Sequence, residues 1–260
     1  MRYFFLLVLL FPLISVSQEK TTLRLIDSLE INAESVYGID AFNTLYFSTR
    51  NGTFHKKTKD TTVTYTNFQL GKVSTADTFN PLKLILFYRD FNTIVVLDNR
   101  LAEAYKVDFN TIRSYKNVAF TSVGYDNTVW VFNQDLQQLE LYDYKIDDTR
   151  VKTVPIQSKV LDLKSDYNYC YLLTEDYLYT YNYFGSLVSK TENKGYSRIA
   201  VSKNFIALQK GEALHLQSKD STDFKTLEDL NLLISQFFVT DESLYIYNHT
   251  WLKKYQLKTL

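Results

Sequence analysis

A pattern of alternating apolar and polar residues recurs about every 40 residues between Val36 and Leu257. Each repeat contains a short stretch of alternating residues that ends in a polar turn. A second stretch, rich in aromatic residues, follows it. The second runs are Thr44–Phe47, Leu84–Tyr88, Thr128–Phe132, Tyr169–Leu173, the weaker Phe205–Leu208, and Leu244–Tyr247. Alternation over four to eight residues of aromatic and β-branched types is typical of β-strands. A fixed period of this length predicts a fold built from repeated units.

The repeats divide the chain into six units, of which the first five contain four predicted strands each. These five units begin at Val36, Val73, Val118, Val160 and Ser197. The sixth unit has three predicted strands, Gln236–Val239, Leu244–Tyr247 and Trp251–Leu257. An additional alternating run, Thr22–Leu29, belongs to no unit. We therefore predict that residues 20–29 form the outer strand of the last unit, which closes a ring and covers an exposed sheet edge.

The repeat length and the four strands per unit resemble those of β-propellers with six blades. The resemblance covers residues 18–260 and implies an all-β fold, a single six-bladed β-propeller of four-stranded antiparallel blades, with the N-terminal strand closing the last blade. The chain contains no Trp-Asp dipeptide, Gly-Gly pair or Tyr-Trp-Thr-Asp tetrapeptide, so no named propeller family is indicated. Seven blades with irregular ends and an open pair of sandwiches are the alternatives.

The first residues have the pattern of a secretory signal peptide. A basic start, Met1-Arg2, precedes the apolar run Tyr3–Val16, and the small residues Ser15 and Ser17 predict cleavage before Gln18. The alternative is an uncleaved anchor, but this run is shorter than the roughly 20 residues that cross a bilayer. We expect residues 1–17 to be removed and the protein to be periplasmic, at the cell surface or extracellular.

Composition excludes several classes of function. Lys plus Arg and Asp plus Glu each total 29, so the chain lacks the positive field of a nucleic-acid-binding protein. The single cysteine, Cys170, excludes an internal disulfide and is predicted to be a small core residue. An interchain bridge or a reactive thiol is the alternative at this position.

The sequence carries two weak candidates for metal sites. Acidic residues follow the first strand of several units, at Asp40, Asp77, Asp126, Asp166 and Asp241. A ring of such residues could hold calcium, but Asp is also a common turn residue, which is the interpretation we favour. The three histidines lie in different units without the convergent ligands of a zinc site. We therefore predict no metal site, no cofactor and no catalytic residue.

The most unusual local string is Phe87–Thr93, which joins the middle strands of the second unit. In a propeller this connection lies on the same face as the loops between blades. Arg and aromatic residues often anchor binding, so Arg89, Asp90, Phe91 and Trp251 are the predicted binding residues. The alternative is that Arg89 and Asp90 pair in a solvated turn while Phe91 packs between blades.

We predict an exported, non-enzymatic propeller that binds or scaffolds a protein or cell-envelope component. The principal alternative is a hydrolase or lactonase with a divalent metal in the central channel, since such propellers draw ligands from different blades. A structural subunit of a cell-surface assembly is a third interpretation.

Overall fold

The computed structural model describes residues 23–221, 223–227 and 232–257. These residues contain 24 β-strands, and they form six antiparallel sheets of four strands. In five sheets the strands are consecutive in the chain, and the sixth has the order β1-β24-β23-β22. The prediction of an all-β, six-bladed propeller is confirmed. The predicted signal peptide lies outside the described residues and stays a prediction.

The strand boundaries are as follows. Blades 1 to 3 consist of β2 (Ser35–Ile39), β3 (Leu45–Ser48), β4 (Phe54–Lys57), β5 (Thr62–Tyr65), β6 (Thr75–Asp77), β7 (Leu84–Tyr88), β8 (Thr93–Leu97), β9 (Glu103–Asp108), β10 (Val118–Val123), β11 (Thr128–Asn133), β12 (Gln138–Asp143) and β13 (Asp148–Lys152). Blades 4 to 6 consist of β14 (Val160–Ser165), β15 (Tyr169–Thr174), β16 (Tyr177–Asn182), β17 (Leu187–Glu192), β18 (Arg198–Val201), β19 (Phe205–Lys210), β20 (Ala213–Ser218), β21 (Lys225–Leu227), β22 (Gln236–Val239), β23 (Ser243–Tyr247), β24 (Trp251–Gln256) and β1 (Arg24–Glu30).

Strand β1 closes the ring as the sequence predicts. It pairs antiparallel with β24, with Leu29 opposite Leu252 and Glu30 opposite Trp251. The amide of Ile31 continues the ladder by donating to the Thr250 carbonyl at 2.9 Å. Because every residue of β1 is exposed, this strand contributes mainly by covering the backbone edge of β24.

The hydrophobic core is divided into six clusters, one between each pair of neighbouring blades. The cluster between blades 6 and 1 joins Tyr245 and Tyr247 to Val36 and Leu45, so the ring is packed continuously. Cys170 is fully buried within the cluster between blades 3 and 4. The core prediction for this residue is confirmed, and burial raises the pKa of its thiol well above the ordinary value.

Side chains on the inner strands also join neighbouring blades at the channel wall. Asp77 of blade 2 accepts a hydrogen bond from the Val123 amide of blade 3 at 3.0 Å. Asp162 of blade 4 accepts one from the Ile199 amide of blade 5 at 3.0 Å. Gln236 of blade 6 performs the same role for Val36 of blade 1 at 2.9 Å. These bonds satisfy amides on the free edges of the inner strands, which would otherwise be costly to bury.

The ring has two distinct faces. The linker face carries the connections from one blade to the next and those between the second and third strands of each blade. The hairpin face carries the turns between the first and second strands and between the third and fourth strands. The part of the chain described by the structure includes no helix of the length and apolar character needed to span a membrane.

Candidate binding surfaces

The predicted turn at Arg89–Phe91 is a short 3₁₀ helix on the linker face. Arg89 does not pair with Asp90. Its guanidinium donates to the Ala119 carbonyl at 2.6 Å and lies 5.3 Å from the centre of the Phe120 ring. This side chain therefore connects blade 2 to blade 3. Phe91 remains 47% exposed, so it is not packed between blades as the alternative interpretation proposed.

The other predicted binding residue, Trp251, lies at the start of β24 in blade 6 and is 39% exposed. Its amide donates to Asn248 at 2.7 Å, and the residue pairs with Glu30 of the closing strand. Blade 1 separates Trp251 from the turn in blade 2. The structure thus brings Arg89, Asp90 and Phe91 together and places Trp251 elsewhere on the same face. Their role in binding stays a prediction.

The hairpin face carries a group of aromatic side chains, three exposed and two half-buried, that the sequence analysis did not select. We call Phe79, Tyr125, Tyr167, Tyr183 and Phe184 the aromatic surface. Tyr167 of blade 4 is 64% exposed, and its ring lies 4.8 Å from that of Phe79 in blade 2. Phe184 is 59% exposed and lies 4.0 Å from Tyr183, ring centre to ring centre. The edge-to-face pair of Tyr125 and Tyr183, at 5.8 Å, extends the surface across blade 3.

Polar residues in the hairpin turns hold these aromatic side chains at the turn tips. Asp77 accepts a hydrogen bond from the Phe79 amide at 3.1 Å. Asp166 accepts one from the Tyr169 amide at 2.8 Å, with Tyr167 between them in the chain. Asn182 accepts from the Phe184 amide at 3.0 Å. Such side-chain-to-backbone bonds fix the turn geometry, so the aromatic rings project from rigid supports.

A cavity of about 380 Å³ on the hairpin face is lined by Tyr125 and Tyr167, which belong to the two ends of the aromatic surface. Lys83 lies in its wall and donates to three carbonyls of the neighbouring turn, including that of Asp126 at 2.8 Å. Burial lowers the pKa of Lys83 to about 8, although Asp77 and Asp126 oppose the shift. This lysine holds the blade 3 turn, and with it Tyr125, against blade 2.

Among the described turns of the hairpin face, exposed large apolar side chains lie in those of blades 1 to 4. Beyond the aromatic surface, Phe42, Leu82 and Ile146 are 78%, 70% and 65% exposed in turns of blades 1, 2 and 3. Apart from the half-buried Phe224, the described turns of blades 5 and 6 on this face carry polar residues. These are Lys203, Asn204, Lys219, Asp220, Asp241 and Glu242. One side of the face is therefore suited to bury apolar groups of a partner.

The acidic residues after the first strands serve as turn residues, as favoured from the sequence. Asp40 accepts from the amides of Phe42 and Thr44 at 2.8 and 2.9 Å and from the Tyr46 hydroxyl at 2.9 Å. Within the described ranges, no group of three or more His, Cys, Asp or Glu side chains is arranged to hold a metal ion. His55 stacks on Phe47 at 4.7 Å, and burial lowers its pKa.

The sequence did contain a signal for the aromatic surface. Turn tips between strands are usually formed by Gly, Asn, Asp, Ser or Pro. The strings Asp77-Thr78-Phe79, Asp166-Tyr167-Asn168 and Tyr183-Phe184-Gly185 place aromatic residues at such tips. An aromatic side chain does not stabilise the backbone of a solvated turn. Its presence at a turn tip therefore indicates a contact beyond the hairpin itself.

Comparison with known proteins supports the fold. No protein-family model matches the chain, and no curated protein matches it in sequence. Virginiamycin B lyase from Staphylococcus aureus superposes with a TM-score of 0.61 at 8% identity, covering 89% of this chain and 99% of the lyase. BamB from Moraxella catarrhalis gives a TM-score of 0.54 at 11% identity, covering 92% and 99% of the two chains.

A third similar structure is PorZ, an essential bacterial surface component of the type-IX secretion system of Porphyromonas gingivalis. The TM-score is 0.52 at 13% identity, and the match covers 87% of this chain and 32% of PorZ. The chain has the fold of a β-propeller. At such low identities the likeness extends to the fold alone, because propellers support unrelated functions.

Proposed function

We propose that the protein is an exported, non-enzymatic propeller that binds a protein partner from the cell envelope through its hairpin face. The observation that carries this proposal is the aromatic surface, with Tyr167 and Phe184 more than half exposed on turns fixed by hydrogen bonds. Tyr and Phe bury large areas at little cost in conformational entropy, and aromatic residues are enriched at the centres of interfaces.

A charged side chain, Arg150, lies beside the aromatic surface, and its guanidinium is held in place by neighbouring residues. Arg150 lies 5.4 Å from the centre of the Tyr125 ring and donates to its hydroxyl at 3.2 Å. Asp143 forms an ion pair with the same guanidinium. Arg and aromatic residues together are the types most often found among residues that dominate binding energy. The similarity to a surface component such as PorZ agrees with an envelope location but extends only to the fold.

We expect the double variant Tyr167→Ser with Phe184→Ser to lose its partner while remaining folded. Loss of two anchors should weaken binding by about 2 kcal/mol or more, roughly 30-fold. Both rings are largely exposed, so the unfolding temperature should stay near the wild-type value. The measurement is recovery of bound protein from envelope extracts on immobilised residues 18–260, followed by titration of the recovered partner.

Two controls make this experiment decisive. Phe68→Ser removes a phenylalanine that is 91% exposed on the linker face and should leave binding unchanged. Arg89→Ala with Phe91→Ala tests the surface predicted from the sequence. Partner loss in this linker-face variant alone would transfer the binding site to that face and refute the aromatic surface. Retention of every partner by both double variants would refute binding through either surface.

A further inference from the structure

The outer edge of blade 1 differs from the outer edges of the other blades. In every sheet the outer strand pairs with one described strand, and its other edge faces outward. An open edge can pair with another chain, and proteins usually prevent this with charged residues and β-bulges. The outer strands of blades 2 to 6 each contain at least one charged residue. The register of β1, β9, β13 and β17 is also interrupted.

Strand β5 of blade 1 has neither form of protection. Its residues, Thr62–Tyr65, are all of types that favour strands and include no charge. The strand pairs with β4 without a shift in register. Val63 is 38% exposed, and the threonines on either side of it are exposed as well. Blade 1 therefore presents a flat, uncharged edge to its surroundings.

Both ends of β5 are fixed by hydrogen bonds. Before the strand, the Thr58 amide donates to the Thr61 carbonyl at 2.9 Å, and the Thr61 amide donates to the Thr58 hydroxyl at 3.0 Å. At the other end, the Tyr65 hydroxyl donates to Glu103 of blade 2 at 2.9 Å. A strand that is already ordered loses little conformational freedom when another strand joins it.

The hairpin before β5 determines which backbone groups point outward. A hydrogen bond closes this hairpin at Thr58–Thr61, and hydrogen-bonded pairs alternate along an antiparallel ladder from that point. Val63 and Tyr65 are therefore the residues that bond to β4. The amides and carbonyls of Thr62 and Thr64 point away from β4, on the side where no described strand pairs with them.

We infer that β5 pairs antiparallel with β5 of a second copy of the chain, across a twofold axis at Val63. In this register Thr62 of each copy lies opposite Thr64 of the other, so the outward backbone groups of both strands bond to one another. Pairs of threonines across strands are favourable. The symmetry of Thr-Val-Thr about its centre makes the edge complementary to itself. Registers centred on either threonine would bring in Asp60 or Thr66, which lie outside the strand.

Antiparallel pairing reverses the direction of one copy relative to the other. The hairpin faces of the two copies then point to opposite sides, and both aromatic surfaces stay accessible. The inference is independent of the proposed function, because β5 lies at the rim of the ring. The paired edge is much shorter than a standard interface, so we expect a weak dimer with a dissociation constant between about 10 μM and about 1 mM.

Sedimentation equilibrium of residues 18–260 over that concentration range measures the association. Val63→Lys places two like charges at the twofold axis and should raise the dissociation constant about tenfold or more. The side chain is partly exposed, so the variant should unfold near the wild-type temperature. The matched control is Val188→Lys, at an exposed position of the outer strand β17, which should dimerise as the wild type does.

Cysteine variants test the register. Opposed residues of a non-hydrogen-bonded pair have Cα atoms about 4.5 Å apart, a distance that a disulfide spans. Val63→Cys should therefore form a covalent dimer in the presence of oxidised glutathione. Thr64→Cys is the matched control and should not, because it lies opposite Thr62 of the other copy. The natural Cys170 is fully buried and does not compete.

Three results would overturn the inference: a chain that stays monomeric up to about 1 mM, dimerisation that Val63→Lys leaves unchanged, or equal cross-linking of the two cysteine variants. A fourth is linkage of the Val63→Cys variant to a different protein in an envelope extract without linkage to itself. That result would assign the edge to another partner.

Discussion

Replacing Glu140 by leucine should lower the free energy of unfolding by about 3 to 5 kcal/mol, the usual cost of removing one member of a buried ion pair. The side chains of Glu140 and Lys116 are 0% and 3% exposed, and their charged atoms lie 2.5 Å apart. Thr149 and Asn133 complete the network at 3.1 and 3.0 Å from the carboxylate. Without Glu140, the Lys116 ammonium would be left charged inside the protein with Thr149 as its hydrogen-bond partner.

The matched control is the double variant Lys116→Met with Glu140→Leu. It removes both charges and keeps similar volume, so it should recover most of the lost stability. Recovery will be incomplete because the Asn133 amide loses its acceptor. Urea unfolding of wild type, single variant and double variant measures both effects. A single variant within about 1 kcal/mol of wild type would contradict the assigned role of the pair.

The Lys116–Glu140 ion pair should also make the free energy of unfolding depend on pH in the acid range. Burial alone would raise the pKa of Glu140, but hydrogen bonds from Lys116 and Asn133 and the Lys116 charge outweigh it, so the pKa lies below its ordinary value of 4.5. A depressed carboxyl pKa stabilises the fold above 4.5, and this contribution is lost as pH falls from 4.5 through the folded-state pKa. The double variant should therefore show a shallower loss of stability over that pH range.

Removal of the closing strand should convert a monodisperse protein into an aggregating one. A chain that begins at Glu34 lacks β1, which leaves the outer edge of β24 (Trp251–Gln256) without its partner. An exposed edge strand pairs readily with other chains. Size-exclusion chromatography with light scattering, together with thermal unfolding, measures the result. We expect multimers and a lower unfolding temperature relative to residues 18–260.

A peptide of residues 20–31 added in trans provides the control. It should add to the free edge by strand augmentation and restore the monodisperse form, whereas a peptide of the same composition in scrambled order should not. If the shortened chain remains monodisperse with an unchanged unfolding temperature, the closing strand is dispensable for the ring.

The strands could be predicted because their cause is local. A residue at every second position must face a neighbouring blade, so the alternation is visible in the sequence. The errors occur at boundaries. The residue pattern of Thr62–Phe68 predicts one strand, but β5 ends at Tyr65 because Asn67 accepts from the amides of Gln69 and Leu70 and turns the chain. The residue pattern likewise predicts a strand over Arg150–Val154, but β13 spans Asp148–Lys152 and follows Asp147, which has a positive φ of 51°.

Features that depend on contacts between distant residues could not be predicted. Lys116 lies in a linker and Glu140 in a strand, and each alone looks like an ordinary solvated charge. The two side chains become buried only when the linker that contains Lys116 packs against blade 3, which contains Glu140. The aromatic surface has the same origin. Each aromatic turn tip is visible in the sequence, but the meeting of Phe79 and Tyr167 across the channel mouth depends on the ring.

Closure by β1 also sets an order of assembly. The ribosome makes Arg24–Glu30 well before its partner Trp251–Gln256. Throughout synthesis the closing strand has no edge to join, and blades 1 to 5 can pair their own strands earlier. Joining such remote segments costs little additional entropy, about 0.6 kcal/mol for each doubling of the loop. The ring therefore closes only after Trp251–Gln256 has been made, and a product truncated before this strand leaves β1 without its partner and the ring open.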